Sequence, residues 1–179
     1  MYKFVKTPAG MKMMLVDNSG EIEGMAELVR AMGGCMAFSV THSQLDTVAK
    51  NIATEFSSES HIIAMSDSFA VTHGDAASEA MMFHEEGHVA LGHIPAANEP
   101  TILLVEGLEI EADAYAADRV GAKTVRQVLV SMVKTEFINT REVAPESLTR
   151  ERLSAYRTQL KTHIFPRLKN LRLIEAQGK

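Results

Sequence analysis

The sequence of 179 residues is 46% hydrophobic and 23% charged, with one cysteine and no tryptophan. That balance describes a folded globular chain of one domain, 1–179, and excludes disordered, collagen-like and disulfide-scaffold classes. The net charge of −5 is unevenly spread: residues 1–149 hold 10 Lys+Arg against 21 Asp+Glu, and residues 150–179 hold 8 against 2. The basic C-terminal helix and tail, about 147–179, reads as a solvated segment that offsets an acidic body, so a nucleic-acid partner is not expected. No apolar run approaches the roughly 18 residues of a membrane helix. The start, with Lys3 inside it, lacks the apolar run of a signal peptide. A cytoplasmic location without membrane insertion is the expectation, and composition says nothing of oligomeric state.

In chain order, Tyr2 to Lys6 alternates apolar and basic residues as a half-buried strand does. Thr7-Pro8-Ala9-Gly10 is a turn, and Met11 to Val16 is a second strand. Ile22, Met25, Leu28, Val29 and Met32 share a helical face that ends at Gly33-Gly34. Cys35 to Val40 is a short strand, and Thr41-x-x-Gln44 caps a helix reaching Phe56. A strand at His61 to Met65 and a polar stretch to Gly74 come next, with Asp75 as the expected N-cap of a helix over about 76–91. Gly92 and Pro95 stop it. A helix over about 102–120 ends at Gly121, and an amphipathic helix succeeds it with Val125, Val128, Leu129, Met132, Val133 and Phe137 inward. Thr140 to Ser147 reads as linker. The last helix, Leu148 to Phe165, should end at Pro166, with a fraying remainder. Strands early and helices late predict an α+β fold, a small N-terminal mixed or antiparallel sheet packed on a helical body.

Chemistry concentrates in His84-Glu85-Glu86-Gly87-His88. Two histidines four apart share one helix face, so both imidazoles can reach one metal ion, and Glu85 can serve as base beside it. A catalytic zinc ion takes a third protein ligand, and Glu106 to Asp113 is the best source of one. On a helix Glu109 and Glu111 point about 200° apart, so both cannot serve one ion. Glu106, Glu109 and Asp113 share a face, so that one can ligate while another orients a ligand imidazole.

His-Glu-x-x-His followed by Glu109-Ile110-Glu111-Ala112-Asp113 on the next helix resembles the gluzincin metallopeptidases. Within them it is similar to the ImmA/IrrE-like peptidases and to the soluble catalytic part of the HtpX/Ste24-like ones. The resemblance covers about Met82 to Gly121. It implies a zincin-like active-site helix with Zn2+ held by His84, His88 and Glu109. It also implies Glu85 as general base, Asp113 hydrogen-bonded to a ligand histidine, and His93 as a further candidate outside the ligand set. The implied activity is zinc-dependent hydrolysis of a peptide or protein substrate.

Other readings of the motif compete. A metzincin needs glycine and histidine where Leu91 and Ile94 stand. A peptide deformylase-like amidohydrolase would add an upstream cysteine, and Cys35 is in reach. That family, however, has aspartate where this chain has Gly87, and the simpler role of Cys35 is a small buried hydrophobe. A zinc-stabilised, non-catalytic binding or regulatory module would keep the ligands, although it has no need of Glu85. Tyr115, His163 and Arg141 are candidate oxyanion donors, and the strand at His61 to Met65 is the expected edge for an extended peptide. The remaining single histidines read as surface or packing residues.

Overall fold

A computed structural model of the protein describes residues 2–6, 12–16, 35–41, 59–94, 106–143 and 149–178. The helices expected over 21–33 and 42–56 lie outside them.

Four short strands are traced: β1 (Tyr2–Lys6), β2 (Lys12–Val16), β3 (Cys35–Thr41) and β4 (Glu59–Ser66). They lie in the order β1-β2-β4-β3, with β4 parallel to β2 and antiparallel to β3. β4 is therefore paired on both sides. It is not the open edge expected for a peptide, because its ladder groups are already spent on its neighbours.

From Asp67 onward the described chain is helical. The helices are α1 (Asp67–His73), α2 (Asp75–Ala90), α3 (Glu106–Val120), α4 (Ala122–Val143), α5 (Arg150–Gln159) and α6 (Phe165–Ala176), with a π-helical turn at Leu160–Ile164. The α+β expectation is corrected: the well-described part of the chain is 84% helical, so the protein there is mostly helical and not a sheet-packed α+β fold. The physical reason lies in the core. Among the residues whose burial is described, the buried apolar side chains beyond Cys35, Ile63, Ala64 and Met65 come from helices: Phe69, Ala77, Ala80, Phe83, Ala112, Ala116, Ala117, Ala122, Val125, Val128, Leu129 and Leu171. Short strands of five to eight residues anchor one end, while helices of up to 22 residues pack on one another. The strand patterning was legible, but it said nothing of how much of the core helices would supply.

Alanine explains the closeness of the helices. Ala77 and Ala80 on α2 and Ala112, Ala116 and Ala117 on α3 are buried small side chains, and the two helices pack on one another. Gly87 carries this further, since a Cβ there would stand 3.0 Å from the Tyr115 side chain. The glycine in the centre of the motif is thus a point where α3 approaches α2 too closely for a side chain to fit without a shift. Glycine in a helix interior costs about 1 kcal/mol, and here close packing offsets it.

Three local expectations change within the helical part. The polar stretch after Met65 contains α1, and Gly74, with φ of 88°, separates it from α2. Gly74, not Asp75, is the N-cap of α2, its carbonyl accepting from the backbone N–H groups of Ala77 and Ser78 at 3.1 Å. Helix α4 runs on to Val143, through part of the expected linker.

A fourth change bears on the site. The C-terminal residues do not fray. Pro166 falls in the first turn of α6, where a missing N–H costs nothing. The preceding turn widens to π geometry, which keeps the proline ring off the carbonyl four residues back. Leu171 of α6 is fully buried, and covering such a side chain is worth about 1.5–3 kcal/mol. The helix packs on α3 and α4.

Candidate metal centre

Helix α2 presents the motif. Its residues Phe83 through His88 are all buried, charged ones included. The rings of His84 and His88 stand edge to face, 4.8 Å apart, as four-residue spacing on one helix face requires. Their Nε2 atoms approach to 3.2 Å. Glu109 on α3 closes the triangle, with Oε2 3.4 Å from His84 Nε2 and Oε1 3.3 Å from His88 Nε2.

These three residues form a group that could hold a metal ion. The separations themselves test the fit. Donors of a tetrahedral zinc site about 2.0–2.1 Å from the ion stand about 3.3–3.4 Å from one another. The two Nε2 atoms stand at 3.2 Å, and Glu109 approaches each with a different oxygen, one ligand atom from each of the three residues lying within 4.8 Å of the others. The donor set, two imidazoles and a carboxylate, suits zinc and its borderline neighbours. Among the described residues the cluster contains no cysteine, and Cys35 is packed in the hydrophobic core.

Behind each histidine stands an acceptor. His84 Nδ1 lies 2.9 Å from Asp113 Oδ1, at ion-pair distance although its N–H direction misses the oxygen. His88 Nδ1 lies 3.1 Å from His93 Nδ1, and His93 Nε2 lies 3.0 Å from Glu111 Oε2. The chain is self-consistent if His88 donates from Nδ1 to His93 and His93 donates from Nε2 to Glu111. His88 then turns a bare Nε2 toward Glu109.

His93 reaches His88 because of how α2 ends. Gly92 adopts φ of +72°, the His93 N–H donates to the His88 carbonyl at 2.8 Å, and the Gly92 N–H donates to Val89 at 3.1 Å. This is a Schellman termination, and it folds the residue after the glycine back over the last turn. Gly92 was legible as a stop signal. Its consequence, a buried histidine against His88, emerges only from the cap geometry.

Glu111 behaves as its angular offset requires: it points away from Glu109 and keeps a 62% exposed side chain while bonding His93. Glu85 is buried within the motif turn and adds to the negative field at His84. Of the oxyanion candidates, Tyr115 has its ring between Gly87 and the Arg119 guanidinium, 3.3 Å from the ring centre. His163 is exposed. The side chains of Glu106 and Arg141 lie outside those described. His73 bonds Ser131 at 3.3 Å, away from the motif, and burial lowers its pKa.

One residue of the site came from where the sequence offered no sign. Arg167, in the basic segment read as solvated, inserts from α6. Its Nε and Nη2 donate to the two oxygens of Asp113 at 2.7 Å each, and its Nη1 stands 2.9 Å from Glu109 Oε2. This packing sets the electrostatics. Burial alone would lower the pKa of His84, but the carboxylates of Asp113 and Glu109 outweigh it and raise it to about 9. Burial pushes Asp113 and Glu109 upward, yet Arg167 and the histidines hold both well below the usual carboxylate range. The Arg167 guanidinium is raised in turn, the two carboxylates overcoming its desolvation.

Among the described residues no helix is long and apolar enough to cross a membrane. Comparison with protein-family models, with curated proteins and with solved structures gives no match for the chain.

Proposed function

We propose that the protein is a zinc-dependent peptidase, with His84, His88 and Glu109 as the residues that would hold the ion and Glu85 as general base. The observation that carries the reading is the convergence of two imidazoles and a carboxylate, one donor from each lying within 4.8 Å of the others, beside a glutamate that ligation does not require. When bound, zinc supplies Lewis-acid polarisation of water and of a substrate carbonyl.

The remaining work falls to the chain. Glu85 accepts a proton from water as the water oxygen bonds to the carbonyl carbon. It then delivers that proton to the amide nitrogen as the carbon–nitrogen bond breaks, leaving a carboxylic acid and an amine, and transfer of the acid's proton gives the carboxylate and ammonium products. Asp113 and the His93–Glu111 pair fix the imidazole rings, so that no ring has to reorient during the reaction. Burial of the motif turn strengthens each of these interactions by keeping water from screening them.

The test pairs metal content by mass spectrometry with hydrolysis of a peptide library by wild type and by Glu85→Gln. Stoichiometric zinc in both proteins, with cleavage by wild type alone, supports a peptidase. Zinc in both with cleavage in neither would turn the assignment to a zinc-stabilised binding module. Absence of zinc after loading would remove the metal centre itself.

A further inference from the structure

We infer that Arg167 is a positioning residue for the metal centre: helix α6 clamps Glu109 and Asp113 from outside the motif and holds Glu109 Oε2, the oxygen beside His84, so that Oε1, beside His88, is the oxygen left for an ion. The inference rests on the assignment of His84, His88 and Glu109 as zinc ligands and concerns how that site is kept in register.

Glu109 and Asp113 are two carboxylates one helical turn apart on α3, Asp113 being 1% exposed. Buried carboxylates persist only when paired. Arg167 ion-pairs both from outside the motif, and unlike His84, which also lies at ion-pair distance from both, it keeps its charge at every working pH. It uses three donors on two acceptors, a side-on fork to Asp113 and the remaining amino group to Glu109. Only a planar guanidinium offers that arrangement, and a lysine ammonium would serve one carboxylate at a time.

Geometry then fixes the consequence. Glu109 Oε2 is held at 2.9 Å by Arg167, closer than its 3.4 Å to His84. Oε1 stands 3.3 Å from His88 Nε2 and takes no part in the Arg167 contact. A carboxylate tied by one oxygen offers the other as a single ligand atom and cannot swing to grip an ion with both. The same guanidinium holds Asp113 behind His84, so one side chain from α6 orients two of the three ligands. The π turn at Leu160–Ile164 and Pro166 at the head of α6 set the helical phase at which Arg167 enters.

A structural role alone predicts something different, and a second tie of α6 separates the two. Arg126 on α4 pairs with Glu175 on α6 at 3.2 Å, away from the metal ligands. The experiment compares wild type, Arg167→Gln, Arg167→Lys and Arg126→Gln. Zinc affinity is measured by chelator competition, and the visible spectrum is recorded after loading with cobalt(II). Arg167→Gln should weaken zinc by about 10- to 100-fold, the usual effect of losing a group that orients a ligand, and should shift the cobalt bands. Arg167→Lys should fall between, and it serves alone should the glutamine variant not fold. Arg126→Gln should bind zinc within about twofold of wild type with an unchanged cobalt spectrum. Wild-type affinity and spectrum in the folded Arg167 variants would overturn the inference while leaving the metal centre standing. Equal losses in Arg126→Gln would also overturn it, reducing Arg167 to a helix anchor. Failure of wild type to bind either metal would overturn both readings together.

Discussion

Helices α2–α3 and the C-terminal pair α5–α6 differ in how they bring charged atoms to the same imidazoles. On α2 and α3 the site is written locally: His84 and His88 are one turn apart, as are Glu109 and Asp113, and helix geometry alone aligns each pair. On α6, the member of the C-terminal pair that reaches the site, nothing local marks Arg167. Its role arises from a proline-led helix start, a widened turn before it and the docking of Leu171 in the core. Local spacing therefore aligns the members of the candidate metal-binding group on each helix, and tertiary packing supplies the counter-charge that makes burying them tolerable.

The sharpest way to break this comparison is to remove the acceptor that joins the two regions. Asp113→Ala leaves Arg167 largely buried without its forked partner and His84 without its acceptor. Breaking one side of such a pair costs about 3–5 kcal/mol, so denaturant unfolding of the metal-free protein should show a loss of that order. A loss below about 1 kcal/mol would mean that α6 docks on apolar contacts alone and that the two regions are energetically separate.

The same contrast explains what could be read in advance. The motif histidines were legible because a helix imposes their spacing; spacing left Glu106, Glu109 and Asp113 open, and the resemblance singled out Glu109 and Asp113. Alternation marked the strand at Tyr2 to Lys6, and the others read as short apolar runs. The share of the core carried by helices was not, since Ala77, Ala80, Ala112, Ala116 and Ala117 look ordinary in a sequence and matter only once two helices meet. His93 was half legible: Gly92 announced a helix end, but the fold-back that brings the ring to His88 is a property of the cap. Arg167 was illegible because charge counting treats a basic tail as an average, and pairing depends on which single residue faces inward.

Acidity offers a second test of how tightly the regions are coupled. Without metal, His84 has its pKa raised to about 9 by Asp113 and Glu109 against the opposing effect of burial. A histidine raised above its unfolded value of 6.5 stabilises the fold fully below that value. The contribution drains away as pH climbs through about 9. The span is on the order of 3 kcal/mol at most, each unit being worth about 1.4 kcal/mol. Asp113 and Glu109, held low, contribute above the ordinary carboxylate range and lose that contribution on acidification. Metal-free protein should thus be most stable at about pH 5 to 6.5 and weaken toward pH 9. Zinc affinity should rise over that same interval, because zinc displaces the His84 proton. Urea midpoints across pH, with and without zinc, check both signs. A flat metal-free profile between pH 6.5 and 9 would show that Asp113 serves Arg167 and not His84.

A smaller effect isolates the close approach of α2 and α3. In Gly87→Ala the new methyl meets the Tyr115 Cβ at 3.0 Å and its ring at 3.1 Å. Better helix propensity should offset only part of the clash, and overpacking of this kind costs about 1–3 kcal/mol. Because Gly87 lies between the two ligand histidines in sequence, the separation of α2 and α3 should grow as the clash relaxes. Thermal unfolding and zinc affinity should fall together. A variant more stable than wild type, with unchanged zinc binding, would show that Tyr115 yields freely and that the glycine is not what sets the helix spacing.

The smallest effect belongs to the tie that touches no ligand. Arg126 and Glu175 are 28% and 37% exposed and join α4 to α6 through a solvent-reachable pair. Water and salt screen such pairs, and holding two long side chains in place costs entropy, so their worth is about 0–1 kcal/mol. Arg126→Gln should therefore lower stability by less than about 1 kcal/mol, and the difference should vanish in high salt. Asp113→Ala, whose partners are buried, should keep most of its deficit at the same ionic strength. If the salt response were the same for both variants, the Arg167 fork would be as hydrated as the surface pair. Helix α6 would then be an ordinary solvated helix resting beside the metal centre, and the contrast between its two ion pairs would collapse.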